Sequence, residues 1–252
     1  MTENHHIQAV LFDLGSTLIY FDAAWPEVVL EMNQALLKAL HEAGYNDLDQ
    51  GFILDFRARL REVQSQADHE FREFTMGDLL SGLLQERGYP APDDRAILNV
   101  LKSMFAVSEA HWKAEPDAIP TLELLRRRGY RLAIVSNAGD DADVQMLIDN
   151  AGIRPYFDYI ITSAAAGVRK PNPRIFNMAL EALGIGPHQA VMIGDLLEAD
   201  VLGAHNAGLP GIWISRRASP NSALAHDGTI VPDAEIKTLA ELPEVLEKLA
   251  VR

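Results

Sequence analysis

Short apolar segments alternate along this chain with stretches whose apolar residues have helical spacing. The apolar segments cover residues 7–12, 130–136, 159–162, 190–193 and 211–214. Strands that are buried on both faces have this continuous apolar character, and strands that alternate with helices pair in parallel. The pattern therefore predicts an α/β fold with three layers, in which helices cover both faces of a parallel sheet.

The stretch from Asp22 to Glu115 has a different pattern. Its apolar residues recur in four groups: Val28, Met32, Leu36 and Leu40; Phe52, Phe56, Leu60 and Val63; Leu79, Leu80, Leu83 and Leu84; and Ile97, Leu101, Met104 and Ser108. This spacing places apolar side chains on one face of a helix, and little in the stretch alternates as a strand would. We therefore expect an all-helical bundle over residues 21–116, inserted into a core formed by residues 1–20 and 117–252.

The acidic balance of the chain excludes several classes of partner. Lys and Arg number 22 against 36 Asp and Glu, a formal net charge of −14, so neither a nucleic-acid surface nor an anionic membrane is an expected partner. No apolar run is long enough to span a bilayer, and the polar start of the sequence lacks a signal peptide's apolar segment. The absence of cysteine excludes disulfides and thiolate chemistry. These features predict a cytoplasmic protein.

Polar residues follow the predicted strands at their carboxyl ends. They are Asp13, Ser136 with Asn137, Lys170 in the loop after the third strand, and Asp195 followed by Asp200. In open parallel sheets, ligands bind at this edge. Carboxylate oxygens suit a hard cation such as Mg²⁺, while an ammonium group and a hydroxyl suit phosphate oxygens. The sequence therefore predicts a site for Mg²⁺ and a small phosphorylated molecule.

These residues, in this order, resemble the motifs of the haloacid dehalogenase superfamily of hydrolases, most of whose members are phosphatases. Residues 12–17 (Phe-Asp-Leu-Gly-Ser-Thr) match the first motif, Ser136 the second, Lys170 the third, and residues 194–200 (Gly-Asp-Leu-Leu-Glu-Ala-Asp) the acidic fourth. The resemblance covers nearly the whole chain and four motifs in order are specific, whereas each alone is weak. It implies a Rossmann-like core and identifies the helical bundle as a cap that closes over the site.

The resemblance also implies a covalent mechanism. Asp13 would attack phosphorus and form an aspartyl-phosphate, which divides one difficult step into two. Mg²⁺ would be held by Asp13, the carbonyl oxygen of Gly15, and Asp195, and would neutralise phosphoryl oxygens. Asp200 would complete the metal site by holding a metal-bound water, or would hold Lys170.

The phosphate itself would be bound by the remaining motif residues. The resemblance assigns this role to Lys170, Ser136, and the backbone N–H groups around Gly15, Ser16 and Asn137. These donors would stabilise the charge that develops on the transferring group.

One position departs from the family pattern. Phosphatases of this family usually carry a second Asp two residues after the nucleophile, which protonates the leaving oxygen and then activates water; here that position is Gly15. General acid–base help is worth roughly 10²–10⁴-fold, or about 3–5 kcal/mol of barrier. Asp22, just past the first strand, and residues of the cap are the alternatives that the sequence offers for this proton transfer.

Other functions fit parts of the pattern. Dehalogenases of the family lack the metal-binding acid, whereas Asp195 and Asp200 are present here. Phosphonate-cleaving relatives also lack the second Asp but use a cap lysine, for which this chain offers Lys38, Lys102 and Lys113. A protein that binds phosphorylated metabolites or a partner with negligible turnover is the alternative outside enzyme function.

Three arginines of the predicted cap raise the question of substrate contact. Arg57, Arg61 and Arg72 have the spacing of a helix surface. Charged residues at such positions are most often solvated, so we interpret them as a solvated face and not as substrate ligands.

Overall fold

A computed structural model describes residues 7–90, 92–217 and 229–249. The strands are β1 (Ala9–Phe12), β2 (Ile19–Phe21), β3 (Trp112–Ala114), β4 (Arg131–Ser136), β5 (Tyr159–Thr162), β6 (Ala190–Gly194), β7 (Gly211–Ile214) and β8 (Ala234–Ile236). The helices are α1 (Trp25–Glu42), α2 (Gln50–Glu70), α3 (Met76–Glu86), α4 (Asp94–Glu109), α5 (Ala118–Arg127), α6 (Asp141–Asn150), α7 (Ser163–Ala166), α8 (Pro173–Leu183), α9 (Gly203–Asn206) and α10 (Leu242–Leu249). Residues 1–6, 218–228 and 250–252 of the predicted core lie outside the described residues.

Among the described residues, six strands form one parallel sheet in the order β5-β4-β1-β6-β7-β8. β1 is central: Phe12 is paired with Ile134 of β4 on one side and with Ile193 of β6 on the other. This arrangement confirms the predicted parallel sheet. β8 was not predicted, because three residues are too few to show a strand pattern.

Helices cover both faces of the sheet, as expected. Successive residues of β1 point to opposite faces, and the two faces belong to separate apolar clusters. Val10 and Phe12 pack in a cluster with Leu122 and Leu125 of α5. Ala9 and Leu11 pack in a cluster whose members include Ile175, Phe176, Ala179 and Leu180 of α8. A strand with both faces buried has no polar alternation, which is why residues 7–12 read as one apolar run.

The helices α1 to α4 bury their own apolar cluster, separate from those of the sheet. It contains residues from each of the four groups of apolar residues that the sequence predicts to be helical, among them Leu36, Phe52, Leu80 and Leu101. Helix starts are set by capping side chains: Asp49, Thr75 and Asp93 accept hydrogen bonds from backbone N–H groups at the starts of α2, α3 and α4. The four groups of apolar residues therefore form the core of the helical unit that their spacing predicts.

The insert is not entirely helical, which corrects the expectation of an all-helical segment. β2 and β3 pair in an antiparallel ribbon, with Tyr20 opposite Lys113. This ribbon lies where the chain leaves the core for α1 and returns to it from α4. Its strands are too short for their alternation to be recognised. No helix among the described residues has the length and apolar character needed to cross a bilayer.

Candidate active site

Lys170 lies between two carboxylates that distant parts of the chain supply. Its Nζ donates to Oδ1 of Asp13 over 2.7 Å and to Oδ1 of Asp200 over 2.6 Å. The side chains of Lys170 and Asp200 are only 2% and 1% exposed, so water contributes little to stabilising their charges. Asp13 follows β1, Lys170 precedes α8, and Asp200 lies in a π-helical turn after β6. The sheet thus brings these predicted residues together at the carboxyl ends of its strands.

Burial and charge act in opposite directions on this cluster. Burial raises the pKa of Asp13, the attraction of Lys170 lowers it, and the nearby Asp200 raises it, which leaves the pKa at about 6. Burial alone would lower the pKa of Lys170, but the charges of Asp13 and Asp200 outweigh burial and raise it. At neutral pH the lysine is charged and Asp13 is mostly ionised, which is the state in which a carboxylate acts as a nucleophile.

Asp195 adds a third carboxylate. It follows β6, and Nε1 of Trp213 donates to its carbonyl oxygen over 2.9 Å. One carboxylate oxygen from each of Asp13, Asp195 and Asp200 lies within 4.8 Å of the others. Burial raises the pKa of Asp195 to about 8, and repulsion by Asp13 and Asp200 adds to this effect. Lys170 therefore does not balance the negative charge, and three mutually repelling carboxylates fit a hard divalent cation such as Mg²⁺.

Both carboxylate oxygens of Asp200 are used within the protein. Oδ1 accepts from Lys170, and Oδ2 accepts from the backbone N–H of Leu196 over 2.9 Å. A Cβ at Gly194 would lie 2.1 Å from the carboxyl carbon of Asp200, so position 194 has to be glycine for Asp200 to reach Lys170. Of the two roles that the sequence left open for Asp200, these contacts favour the one in which it holds Lys170.

Two loops complete the phosphate side of the site. Ser136 is the buried last residue of β4. The side chain of Asn137 bonds the backbone of Lys170 twice: Nδ2 donates to its carbonyl oxygen over 2.9 Å, and Oδ1 accepts from its N–H over 2.8 Å. Ser16, in the loop after β1, has a φ of 59°, a left-handed conformation that residues other than glycine rarely adopt. Asn137 thus fixes the Lys170 loop, and Ser16 shapes the loop that follows Asp13.

A cavity of about 620 Å³ lies between these residues and the helical unit. Asp13, Ser136, Lys170 and Asp195 line one end of it. The other walls are largely apolar and include Met32, Phe56, Leu60, Met104, Phe105 and Trp112. The volume falls within the range of small-molecule sites. The arrangement can therefore hold a small molecule whose charged end faces Lys170 and whose body contacts the insert.

Arg57 and Arg61 line this cavity, which sequence reasoning missed. They lie one turn apart on α2, and neither makes an ion pair in the part of the chain that the structure describes. Arg72 is not among the described residues that line the cavity. Its guanidinium lies 5.3 Å from the centre of the Phe74 ring. The side chains of Arg57 and Arg61 are both exposed, as the interpretation of a solvated face expects, but they also border the cavity. Helical spacing alone could not have revealed this, because it does not say which neighbour a face meets.

Two further acids bear on the missing proton donor. Asp22 forms an ion pair with Lys113, its hydrogen bond to that lysine lowers its pKa, and it is not among the described residues that line the cavity. Asp143, in the first turn of α6, does line the cavity, and burial raises its pKa to about 8. Asp143 was not among the predicted site residues, because an aspartate in the first turn of a helix is common without any site.

Comparisons with known proteins agree with this geometry. A family model described as haloacid dehalogenase-like hydrolase matches residues 7–208. A protein named glyceraldehyde 3-phosphate phosphatase, from Methanopyrus kandleri, is 32% identical over 245 residues, which cover 97% of this chain and 99% of that protein. The match therefore spans both the sheet and the helical insert.

Solved structures are similar over the same extent. A 2-haloacid dehalogenase from Pseudomonas syringae superposes with a TM-score of 0.67 and 28% identity, covering 96% of this chain and 99% of that one. A HAD phosphatase from Thermococcus onnurineus superposes with a TM-score of 0.64 and 27% identity, covering 95% and 98%. Since these two similarities are nearly equal, overall shape does not distinguish the two activities, and the site residues have to do so.

Proposed function

The chain belongs to the haloacid dehalogenase-like hydrolase family, and from that membership we propose that it hydrolyses small phosphate monoesters with the help of Mg²⁺. Family membership confirms the resemblance drawn from the four sequence motifs. The substrate class is supported by the similarity to a glyceraldehyde 3-phosphate phosphatase along nearly the whole chain.

The observation that carries this proposal is the position of Lys170 between Asp13 and Asp200, at the end of the cavity that Asp195 also lines. A dehalogenase needs a carboxylate nucleophile but no cation site. Here a second and a third carboxylate lie within 4.8 Å of the first, and a bound cation would relieve their mutual repulsion. The excess of negative charge therefore favours phosphoryl transfer over dehalogenation.

Asp13 is the proposed nucleophile. Its carboxylate oxygen would attack phosphorus and form a covalent aspartyl-phosphate, with Lys170 orienting that carboxylate before attack. Lys170 and Ser136 would bind oxygens of the transferring phosphoryl group, together with the backbone N–H groups of Gly15, Ser16 and Asn137. The hydrogen bonds of Asn137 to the Lys170 backbone join the loops that carry these two residues, so this part of the phosphate site is arranged before substrate arrives.

The residues present fit Mg²⁺. Asp13, Asp195 and the carbonyl oxygen of Gly15 would hold it, and Asp200 would support the site from its bond to Lys170. When bound, the ion neutralises phosphoryl oxygens as charge builds up during transfer. It would also offset the repulsion by Asp13 and Asp200, which adds to the effect of burial in raising the pKa of Asp195.

The helical unit is the proposed cap. Residues 21–116 would close over the site and exclude water, with residues 1–20 and 117–252 as the catalytic core. The β2–β3 ribbon carries both connections between the two units. The apolar walls that α1, α2 and α4 contribute to the cavity support this role.

Phosphonate cleavage is less well supported. It would require a cap lysine that reaches the substrate, but none of Lys38, Lys102 and Lys113 is among the described residues lining the cavity. Lys38 lies 3.8 Å from Glu42 with 78% of its side chain exposed, and Lys113 is paired with Asp22.

Release of inorganic phosphate from a panel of small phosphate esters tests the proposal. We expect release that depends on added Mg²⁺ and that falls below detection in Asp13→Asn, a variant that keeps the size of the side chain. Equal release by wild type and Asp13→Asn would overturn the nucleophile assignment. Binding of the esters without release by wild type would instead favour a protein that binds phosphorylated metabolites without turning them over.

A further inference from the structure

The segment between α2 and α3 joins the helical unit to loops of the core through backbone hydrogen bonds. We call residues 71–76 the docking segment. Its bonds run from the N–H of Arg169 to the carbonyl oxygen of Phe71 over 3.2 Å, from the N–H of Glu73 to that of Gly167 over 3.3 Å, and from the N–H of Met76 to that of Gly139 over 2.8 Å. Gly139 belongs to the loop of Asn137, and Arg169 directly precedes Lys170. The docking segment therefore contacts both loops that carry proposed phosphate donors.

The backbone of Phe71 indicates that the core imposes this contact. Phe71 ends α2 with a φ of 51°. This left-handed conformation is unfavourable for a residue with a bulky side chain and persists only where surrounding contacts hold it. Here the next residue, Arg72, pairs with Val168 of the core in an antiparallel bridge. The docking segment is thus shaped to meet the core as well as to join two helices.

Glu73 places a carboxylate of the helical unit inside this contact. Its side chain is only 7% exposed, and its Oε2 accepts from the hydroxyl of Ser163 over 2.6 Å. Nη1 of Arg169 lies 3.8 Å from the same oxygen. Burying a carboxylate is costly unless hydrogen-bond donors or a cation satisfy it, and both of these partners belong to the core. The cost of burying Glu73 is therefore offset by contacts that form only when the docking segment lies against the core.

Ser163 connects Glu73 to the loop after β4. Its hydroxyl has one proton to donate. The carboxylate of Glu73 lies at 2.6 Å and the carbonyl oxygen of Ala138 at 3.2 Å, so the charged and nearer acceptor is preferred. The same hydroxyl oxygen accepts from the N–H of Ala138 over 2.8 Å. Because hydrogen bonds in a chain polarise one another, the bond to Glu73 strengthens the bond that holds Ala138.

We propose that Glu73 is a positioning residue, through which the arrangement of the phosphate site depends on docking of the helical unit; the inference rests on the proposed phosphatase function. Ala138 directly follows Asn137, whose side chain bonds the Lys170 backbone twice. With the segment docked, Glu73 holds Ser163 and Ser163 holds Ala138. Asn137 then keeps the Lys170 loop in place. Because such coupling is reciprocal, phosphate in the site should in turn stabilise the docked segment.

Steady-state kinetics at a temperature well below Tm test the positioning role. Glu73→Ala should lower kcat/KM for small phosphate esters and raise the inhibition constant of inorganic phosphate, each by roughly tenfold, the scale of one hydrogen bond to a charged group. Glu73→Gln keeps an acceptor oxygen for Ser163 and should lose less. Ser163→Ala should cause a loss similar to that of Glu73→Ala. The double variant should lose no more than either single variant, because both act on one bond.

Glu70→Ala is the matched control for these measurements. Glu70 is an exposed acid in the last turn of the same helix, where it accepts from Gln66 over 2.8 Å. Its replacement removes a negative charge near the docking segment but leaves the bond of Glu73 intact. Both kinetic constants should therefore stay at their wild-type values.

Amide hydrogen exchange tests docking without relying on turnover. Met76 is the first residue of α3, so its N–H has no acceptor within that helix and donates to Gly139 instead. Its exchange rate therefore reports how often the segment leaves the core. Glu73→Ala should speed this exchange roughly tenfold, whereas Glu70→Ala should not change it. Inorganic phosphate with Mg²⁺ should slow the exchange in wild type.

Two results would overturn the inference alone. One is an unchanged kcat/KM and phosphate inhibition in Glu73→Ala whose fold a thermal melt shows to be intact, which would leave Glu73 with a structural role. The other is an exchange rate at Met76 that does not respond to phosphate. If Glu73→Ala fails to fold, Glu73→Gln takes its place in both measurements. Absence of phosphate release from every ester by wild type would overturn the proposed function instead.

Discussion

Two acidic clusters line the same cavity, and the protein neutralises them in different ways. At the sheet, Asp13 and Asp200 share the ammonium group of Lys170. Between α6 and α4, Asp143 and Glu109 share no lysine or arginine of the described residues, and burial raises the pKa of both carboxyl groups, that of Asp143 to about 8. Both clusters contain carboxyl groups with raised pKa values, but only the first is built around a fixed cation.

The difference assigns different chemistry to the two ends of the cavity. A carboxylate held by a lysine remains ionised and oriented, which suits nucleophilic attack and cation binding. A carboxyl group whose pKa burial raises to about 8 is mostly neutral at pH 7 and therefore does not repel an anionic substrate. Substitutions at one cluster should therefore affect stability and its dependence on pH and Mg²⁺ differently from substitutions at the other.

Replacing Lys170 should have the largest effect on stability. Lys170→Met leaves Asp13 and Asp200 buried without their shared cation, and breaking a buried pair in this way costs about 3–5 kcal/mol. The loss should be larger at pH 8 than at pH 5, because the abandoned carboxylates can be neutralised by protons at the lower pH. Denaturant unfolding at both pH values checks this. Lys38→Met, at an exposed position on α1, is the control and should lie within experimental error.

Replacing Asp195 should relieve the first cluster. Its pKa of about 8 exceeds the ordinary value of 3.8, so the folded chain holds this proton more tightly than the unfolded chain, and stability is lost as pH rises from about 3.8 to about 8. Asp195→Asn should therefore raise Tm in the absence of Mg²⁺ at pH 8, by roughly 2–4 °C for a gain of about 1 kcal/mol. It should also abolish the rise in Tm that Mg²⁺ produces in wild type. A lower Tm in the variant would contradict the assignment of Asp195 as a repelled metal ligand.

The same measurement on Asp143→Asn sharpens the comparison. The pKa of Asp143 is also about 8, so the folded protein loses stability over the same rise in pH as this buried group ionises. Asp143→Asn cannot ionise at this position and should therefore be more stable than wild type at pH 8. Mg²⁺ should cancel the pH-dependent loss due to Asp195 but not the loss due to Asp143, because only the former lies within the carboxylate cluster. Thermal melts across pH, with and without Mg²⁺, distinguish the two. Cancellation of both losses by Mg²⁺ would show that the clusters are not independent.

The smallest expected effect concerns Arg57. If it contacts an anionic group at the far end of a substrate, Arg57→Ala should raise KM for phosphate esters that carry a carboxylate by roughly two- to fivefold, the scale of an exposed ion pair. KM for esters without that group should not change. Arg59→Ala is the matched control on the same helix, since Arg59 already pairs with Glu86 over 3.0 Å. Equal changes in both variants would indicate a general effect on α2.

Most of the fold and the sheet end of the site could be predicted because their signals are local. The apolar run before Asp13 and the glycine–aspartate pair at the end of β6 mark strand ends, and parallel topology brings strand ends together. The glycine of this pair also has a structural reason, because a side chain at position 194 would displace Asp200.

The wall of the cavity could not be predicted in the same way. Asp143 and Glu109 lie in different helices and meet only because α4 packs on α6, a contact that helical spacing does not encode. The position of Arg57 and Arg61 beside the cavity was missed for the same reason. The β2–β3 ribbon and β8 were missed because three residues carry too little pattern to identify a strand.

Asp13 is the group on which the proposed mechanism forms the phosphoryl intermediate. Rapid acid quenching of wild type during turnover of p-nitrophenyl phosphate with Mg²⁺, followed by peptide mapping, measures this directly. We predict a phosphoryl group on the peptide that contains Asp13, and none on that peptide in Asp13→Asn. Steady phosphate release with no phosphoryl group on Asp13, or with one on another residue, would contradict the account.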